Sequence, residues 1–215
     1  MEPKLGRNQS QRPRIAKAME SLRRRSFAVS VFDAPSDAVD FFFAKITKGD
    51  RIGHGGSDTL RQLGVLDRLR NEGYALLDRY VFGPSYDEQL QIRRENLCAD
   101  VFVASSNAVS IGGALVNIDG DGNRVAALTF GPGRVYLFVG RNKLCDDLDA
   151  AIHRARNVAA VRLAAALGKK TPCVRDGTCR DCASPDRICS TLSIIERCRP
   201  EGRIHLLLID EDLGL

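Results

Sequence analysis

"RIGHGGSDTLRQLGVLDRLRNEG" (residues 51–73) decides the fold. Its first four residues form a short run that reads as a buried strand and enters a glycine turn. "SDTLRQLGVLDRLRNEG" (57–73) then places Leu60, Leu63, Leu66 and Leu69 at helical spacing, with Gly73 as a stop. A strand that turns through glycines into a helix is the unit from which parallel α/β sheets are built. The unit recurs on either side. "FAVSVF" (27–32) reads as a strand and "PSDAVDFFFAKIT" (35–47) as a helix whose Pro35 and Ser36 suit the first turn. "YALLDRY" (74–80) and "DVFVASSN" (100–107) read as strands separated by a helix over 87–99. Three helical crossovers predict a doubly wound, mostly parallel sheet.

The middle of the chain departs from this alternation. "GGALVNIDGDGNRVAALTFGPGRVYLFVG" (112–140) holds three strand-like runs around turn clusters at 119–123 and 131–133, and predicts an antiparallel hairpin insertion. "DLDAAIHRARNVAAVRLAAAL" (147–167) predicts a long amphipathic helix, and "TLSIIE" (191–196) and "RIHLLLID" (203–210) predict closing strands.

A chain of 215 residues with 44% hydrophobic residues has enough apolar surface for one full α/β core. The charge is segregated. Residues 1–25 carry eight Lys or Arg against Glu2 and Glu20, a net +6, which leaves −1 for residues 26–215 out of the total of +5. The expected organisation is a basic N-terminal tail or helix over 1–25 and a single domain over 26–215. The arm holds no aromatic residue to stack on bases and matches no DNA-binding signature, so nucleic acid is disfavoured as a partner. No stretch is apolar for the roughly 18 residues that a membrane span needs, and the N-terminus has no apolar secretory region. A soluble, cytoplasmic chain is expected.

Two turns are candidates for chemistry. "GHGGSDT" (53–59) places Gly55, Gly56, Ser57 and Thr59 at a strand-to-helix junction, where free N–H groups favour a phosphate or carboxylate. It is not a dinucleotide fingerprint, because Asp58 stands where the third glycine would be, and it has no Walker lysine. A tight turn capped by Ser57 is the competing reading. Asp78, at the end of the next strand, stands about where a ribose-binding acid would be, and His54 reads as structural in preference to an acid or base. "DGDGNR" (119–124) begins like a calcium loop, but Arg124 takes the required glycine position and Phe130 the required glutamate; a hairpin turn is preferred. No catalytic constellation can be read from three histidines, and the catalytic residues stay unknown.

"TPCVRDGTCRDCASPDRIC" (171–189) holds four of the seven cysteines, spaced C-x5-C-x2-C-x6-C, in a loop over 171–190. The odd count and the expected compartment argue against disulfides. Four thiols within seventeen residues suit a cation that keeps them as thiolates, so Cys173, Cys179, Cys182 and Cys189 are candidate metal ligands. A compact all-cysteine loop favours an iron–sulfur cluster of the 4Fe-4S kind, although the spacing matches neither ferredoxin pattern; zinc and inert thiols stay open. Cys98 is assigned to the core.

"GGSDTLRQLGVLD" (55–67), "NIDGDGNRVAAL" (117–128), "GRNKL" (140–144) before "AIHRARNVA" (151–159), the cysteine stretch and "GRIHLLLIDEDLGL" (202–215) together resemble the LUD-domain proteins of bacterial lactate utilisation, LutC/YkgG-like. The resemblance implies a three-layer α/β fold of the sugar-isomerase and CoA-transferase type, with the turn at Gly55–Ser57 facing a cleft for phosphorylated or carboxylated ligands. It implies a component of a lactate or 2-hydroxyacid oxidation system that works beside iron–sulfur partner proteins, with the cysteine loop contributing electron transfer. The alternatives are a transferase- or isomerase-like enzyme that binds a small anionic metabolite and holds a structural zinc, or a non-catalytic regulatory subunit.

Overall fold

The computed structural model describes residues 12–78, 80 and 85–215. In chain order these form α1 (Arg12–Arg24), β1 (Ala28–Phe32), α2 (Pro35–Phe43), β2 (Arg51–His54), α3 (Asp58–Gln62), α4 (Val65–Asn71) and β3 (Ala75–Leu76). There follow α5 (Tyr86–Glu95), β4 (Val101–Ala104), β5 (Ala108–Ser110), β6 (Leu115–Asp119), α6 (Asn123–Phe130), β7 (Arg134–Gly140) and β8 (Leu144–Cys145). The chain closes with α7 (Leu148–Arg154), α8 (Ala160–Ala166), α9 (Pro172–Asp176), β9 (Thr191–Ile195) and β10 (Ile204–Ile209).

Six strands make a wholly parallel central sheet in the order β1-β10-β7-β4-β2-β3. Strands buried on both faces need apolar residues at nearly every position, and β7 and β10 supply them apart from Arg134 and His205. Val135, Leu137, Val139, Ile204, Leu206 and Leu208 face one core with α1 and α6. Tyr136, Phe138, Leu207 and Ile209 face the other with α2, α3 and α4. A second, mixed sheet, β8-β5-β6-β9, packs one face on the first core through Val109 and Leu115, and its other face on the long helix through Ala151, Ala155 and Ala160. The result is the three-layer α/β architecture, with β5–β6 as its antiparallel hairpin.

Several elements differ from their sequence expectation. "NRVAALTF" is a helix and not the middle strand of a hairpin set. Arg124, Val125, Ala127 and Leu128 form its buried face, and the Asp119 carboxylate accepts from the N–H groups of Arg124 (3.0 Å) and Val125 (3.2 Å) to cap it. The "DGDGNR" segment is therefore a strand-to-helix turn. The helix expected over 57–73 is broken between α3 and α4, where Gly64 takes φ +64. Cys98 is exposed, whereas Cys145 and Cys198 are buried. From residue 12 onward the basic arm is α1, whose Ile15, Ala18 and Leu22 enter the core while Arg14 pairs with Asp146 at 2.9 Å on the outside. Residues 1–11 of that arm lie outside the described residues. Among the described residues no helix is long and apolar enough to cross a membrane.

Candidate functional site

In an open parallel sheet, ligands bind outside the carboxyl ends of neighbouring strands from which the chain departs in opposite directions. β2 and β4 are such a pair: β2 leads outward to β3, whereas β4 leads through the small sheet to β7 on the other side. Their carboxyl ends carry the glycine turn 55–59 and the turn Ser105–Asn107. Between these turns, the β6–α6 connection and the long helix lies a cavity of about 620 Å³. Leu60, Leu66, Ala159, Ala160 and Leu163 give it an apolar wall, while Thr59, Ser105, Asn107, Arg124 and Lys143 supply polar groups.

Lys143 leaves β7 at its carboxyl end and is 4% exposed. Its Nζ lies 2.7 Å from Thr59 Oγ1 and 2.8 Å from Ser105 Oγ. Burial, reinforced by repulsion from Arg154 and Arg124 and opposed by Asp58, pushes the ammonium down to about 7. The other cations of the cavity wall have carboxylates. Arg61 pairs with Asp58, Arg70 with Asp67 at 2.6 Å, Arg93 with Asp121, and Arg124 Nε stands 3.9 Å from Asp119. Among the described residues Lys143 has no carboxylate within 4.0 Å, so its charge is the one the wall leaves unmatched.

Arg124 braces the floor. Its guanidinium donates to Ser105 O (3.1 Å), Asn117 Oδ1 (2.7 Å), Asn107 Oδ1 (2.8 Å) and Ile118 O (2.7 Å). Arg154 donates to Asn142 O (2.9 Å) and to Asn107 O from the long helix. Burial lowers both guanidinium pKa values without neutralising either group. These bonds hold the Ser105–Asn107 turn open toward the cavity.

The glycine turn is where the sequence placed it. Gly56, Ser57 and Thr59 line the cavity; Ser57 Oγ caps α3 by accepting from Leu60 N at 3.3 Å, and Thr59 holds Lys143. Gly55 lies behind, where a Cβ would stand 2.7 Å from Arg124 Cδ. Asp58 is engaged by Arg61 and, at 3.1 Å, by Gln62. Asp78 is not free for a ribose: its carboxylate lies 2.6 Å from Arg70 and 3.5 Å from the buried His54, and it is held well below the usual carboxylate range by His54, Arg70 and Tyr80 N against the cost of burial. His54 is thereby a structural partner, as its position at a strand end suggested.

The cysteine loop reaches the same cavity through Ile188, and it is anchored to the long helix by Asn157 Oδ1, which accepts from Thr178 Oγ1 and Cys179 N, each at 3.0 Å. Ala155–Ala159, the segment carrying Asn157, is a π-helical turn. All four thiols are free. Cys173 Sγ contacts Thr171 Oγ1 at 3.2 Å, and Cys179 Sγ accepts from Asp181 N at 3.4 Å. Burial, with Cys179 and Cys182 nearby, pushes the Cys189 thiol up against the effect of Arg187. Among the described residues no three His, Cys, Asp or Glu side chains are grouped so that they could hold a metal ion.

Sequence reasoning missed Lys143, Ser105, Asn107 and Arg124. A lysine three residues beyond a strand that is apolar from Val135 to Val139 was the available signal for the first. Compared with known proteins, residues 15–209 match the LUD domain family. A crystal structure of a DUF162 family protein from Deinococcus radiodurans superposes with a TM-score of 0.53 at 12% identity, over 93% of this chain and 98% of that one. At that identity the likeness is one of fold. No curated protein sequence matches.

Proposed function

This chain belongs to the LUD-domain family, and on that premise we propose that it is the metabolite-binding component of a 2-hydroxyacid oxidation system of the lactate-utilisation kind, LutC/YkgG-like. The cleft outside β2, β4 and β7 takes a small molecule with one carboxylate or phosphate. The carrying observation is the unmatched charge of Lys143 in a wall whose other cations are paired. An anion beside Lys143 returns the favourable field that burial removed, so binding takes up a proton. The glycine turn contributes Gly56, Ser57 and Thr59 to the wall, with Gly55 giving the clearance that seats Arg124. The test is thermal melting of the full chain at pH 7 with L-lactate, pyruvate, phosphate esters and CoA. A ligand at 100 times its Kd stabilises by about 2.7 kcal/mol, about 5–11 °C for a chain of this size. No shift with any of these anions would sink the reading.

A second reading gives the cysteine loop a metal, with iron–sulfur proteins as partners. The observation favouring it is that Cys179 and Cys182 stand close enough to Cys189 to add to the burial that pushes its thiol up. Cys173, whose thiol is engaged by Thr171, would have to join them. A bound cluster would supply one-electron transfer; no step of the metabolite reading depends on it.

A further inference from the structure

Lys143 is unusual in its combination of burial, partners and place. An ammonium has three N–H groups to satisfy, yet Nζ has two acceptors among the described residues, the hydroxyls of Thr59 at 2.7 Å and Ser105 at 2.8 Å. A neutral amine has two N–H groups and one lone pair, so two hydroxyl acceptors satisfy it and leave the pair available. The backbone closes on the amine from the C-terminal segment: a Cβ at Gly214, where φ is +66, would lie 3.2 Å from Nζ and 2.3 Å from Thr59 Oγ1. Lys143 nonetheless belongs to the cavity wall, which the apolar side chains of Leu60 and Leu163 also line. Two guanidiniums, on Arg124 and Arg154, repel a proton at this nitrogen, while Asp58 alone among the nearby carboxylates favours one. A desolvated lysine next to other cations is the arrangement that activates an amine toward carbonyl carbons.

We propose that Lys143 is a catalytic nucleophile of this site, condensing through Nζ with the carbonyl carbon of a small 2-oxo acid. The inference rests on the reading of the cavity as an anion site. The lone pair attacks the carbonyl carbon and the C–N bond forms. The carbonyl oxygen then leaves as water, carrying one proton from the amine and one from solvent, and a protonated C=N bond remains. Nothing is oxidised or reduced. Thr59 and Ser105 are placed to pass the protons, since each hydroxyl both accepts and donates. The product carries one positive charge at the place where the wall lacks one negative charge, and the carboxylate of a 2-oxo acid supplies it. An aldehyde or ketone without an acid group would leave that charge buried and unmatched.

The experiment uses the full chain at pH 7 with pyruvate and, separately, glyoxylate, each with sodium cyanoborohydride, followed by intact-mass and peptide mapping. One reduced adduct per chain is expected, on the peptide containing Lys143, at least about tenfold faster than at the exposed Lys45 or Lys170, because a lysine near neutrality carries far more free amine. Lys143→Arg, which keeps the charge and removes the nucleophile, is expected to lose the adduct; mapping of the wild-type chain locates it even where that variant folds poorly. Melting with pyruvate and with L-lactate, which has the same carboxylate and no carbonyl, runs beside it. Stabilisation by both acids without an adduct at Lys143 overturns the nucleophile and leaves the anion site standing. An adduct spread equally over the exposed lysines overturns it as well. Neither adduct nor stabilisation overturns both.

Discussion

Replacing Lys143 by Met removes the amine, keeps most of the side-chain volume and should change how stability depends on pH. In the folded chain the ammonium is pushed from its ordinary 10.5 down to about 7, and burial is the largest cause. Between those values the unfolded chain holds the proton and the folded chain does not, so unfolding takes up a proton and stability rises with pH. The contribution is fully present above 10.5 and is lost as the pH falls to 7. A gap of about 3.5 pH units at 1.36 kcal/mol each corresponds to about 5 kcal/mol over the window. Against this, the variant gives up two hydrogen bonds, to Thr59 and Ser105, at about 1 kcal/mol each at every pH. Urea unfolding of both proteins at pH 7, 8 and 9 and constant ionic strength gives the difference directly, because every other titrating group is shared. Wild type minus variant should climb by about 1.4 kcal/mol per pH unit, and the variant should be the more stable protein at pH 7. Parallel curves would refute the claim that the fold lowers the pKa of this ammonium.

Gly55→Ala puts a Cβ 2.7 Å from Arg124 Cδ, a side chain pinned by four hydrogen bonds, and should cost about 1–3 kcal/mol, seen as a fall of about 2–12 °C in Tm. It should also abolish stabilisation by anions, whereas Gly64→Ala, with open space around it and φ +64, should lower Tm and leave ligand shifts intact. For the cysteine loop, metal analysis with electron paramagnetic resonance on anaerobically purified protein should give brown, iron-containing material that Cys179→Ala bleaches; a colourless, iron-free preparation would end the iron–sulfur reading.

The central sheet was legible because its strands are buried on both faces, which leaves nearly continuous apolar runs such as "VYLFV" at 135–139 and "IHLLLI" at 204–209. The strand-turn-helix of 51–62 was legible for a related reason: glycines and a capping serine mark a junction that local backbone geometry requires. "NRVAALTF" was misread because eight residues bounded by turn formers fit either period, and what selects the helix is the Asp119 cap and a buried face against the sheet. Asp78 looked available in sequence because its partners, Arg70 and His54, approach from 8 and 24 positions away.

By itself the sequence determined the layered α/β class, the position of the glycine turn at a strand end and the concentration of basic charge in the first 25 residues, since each depends on residues adjacent in the chain. The tertiary structure decided what those parts do. Lys143 meets Thr59 across 84 positions and Ser105 across 38, and the field that lowers its ammonium comes from Arg124 and Arg154 on two different helices. Four cysteines share a loop in sequence, and in the fold Cys173 meets Thr171, Cys179 accepts from Asp181 N, and Cys189 is part-buried beside Arg187. Spacing along a chain limits which groups can meet; burial and charge at their final distances decide which of them react.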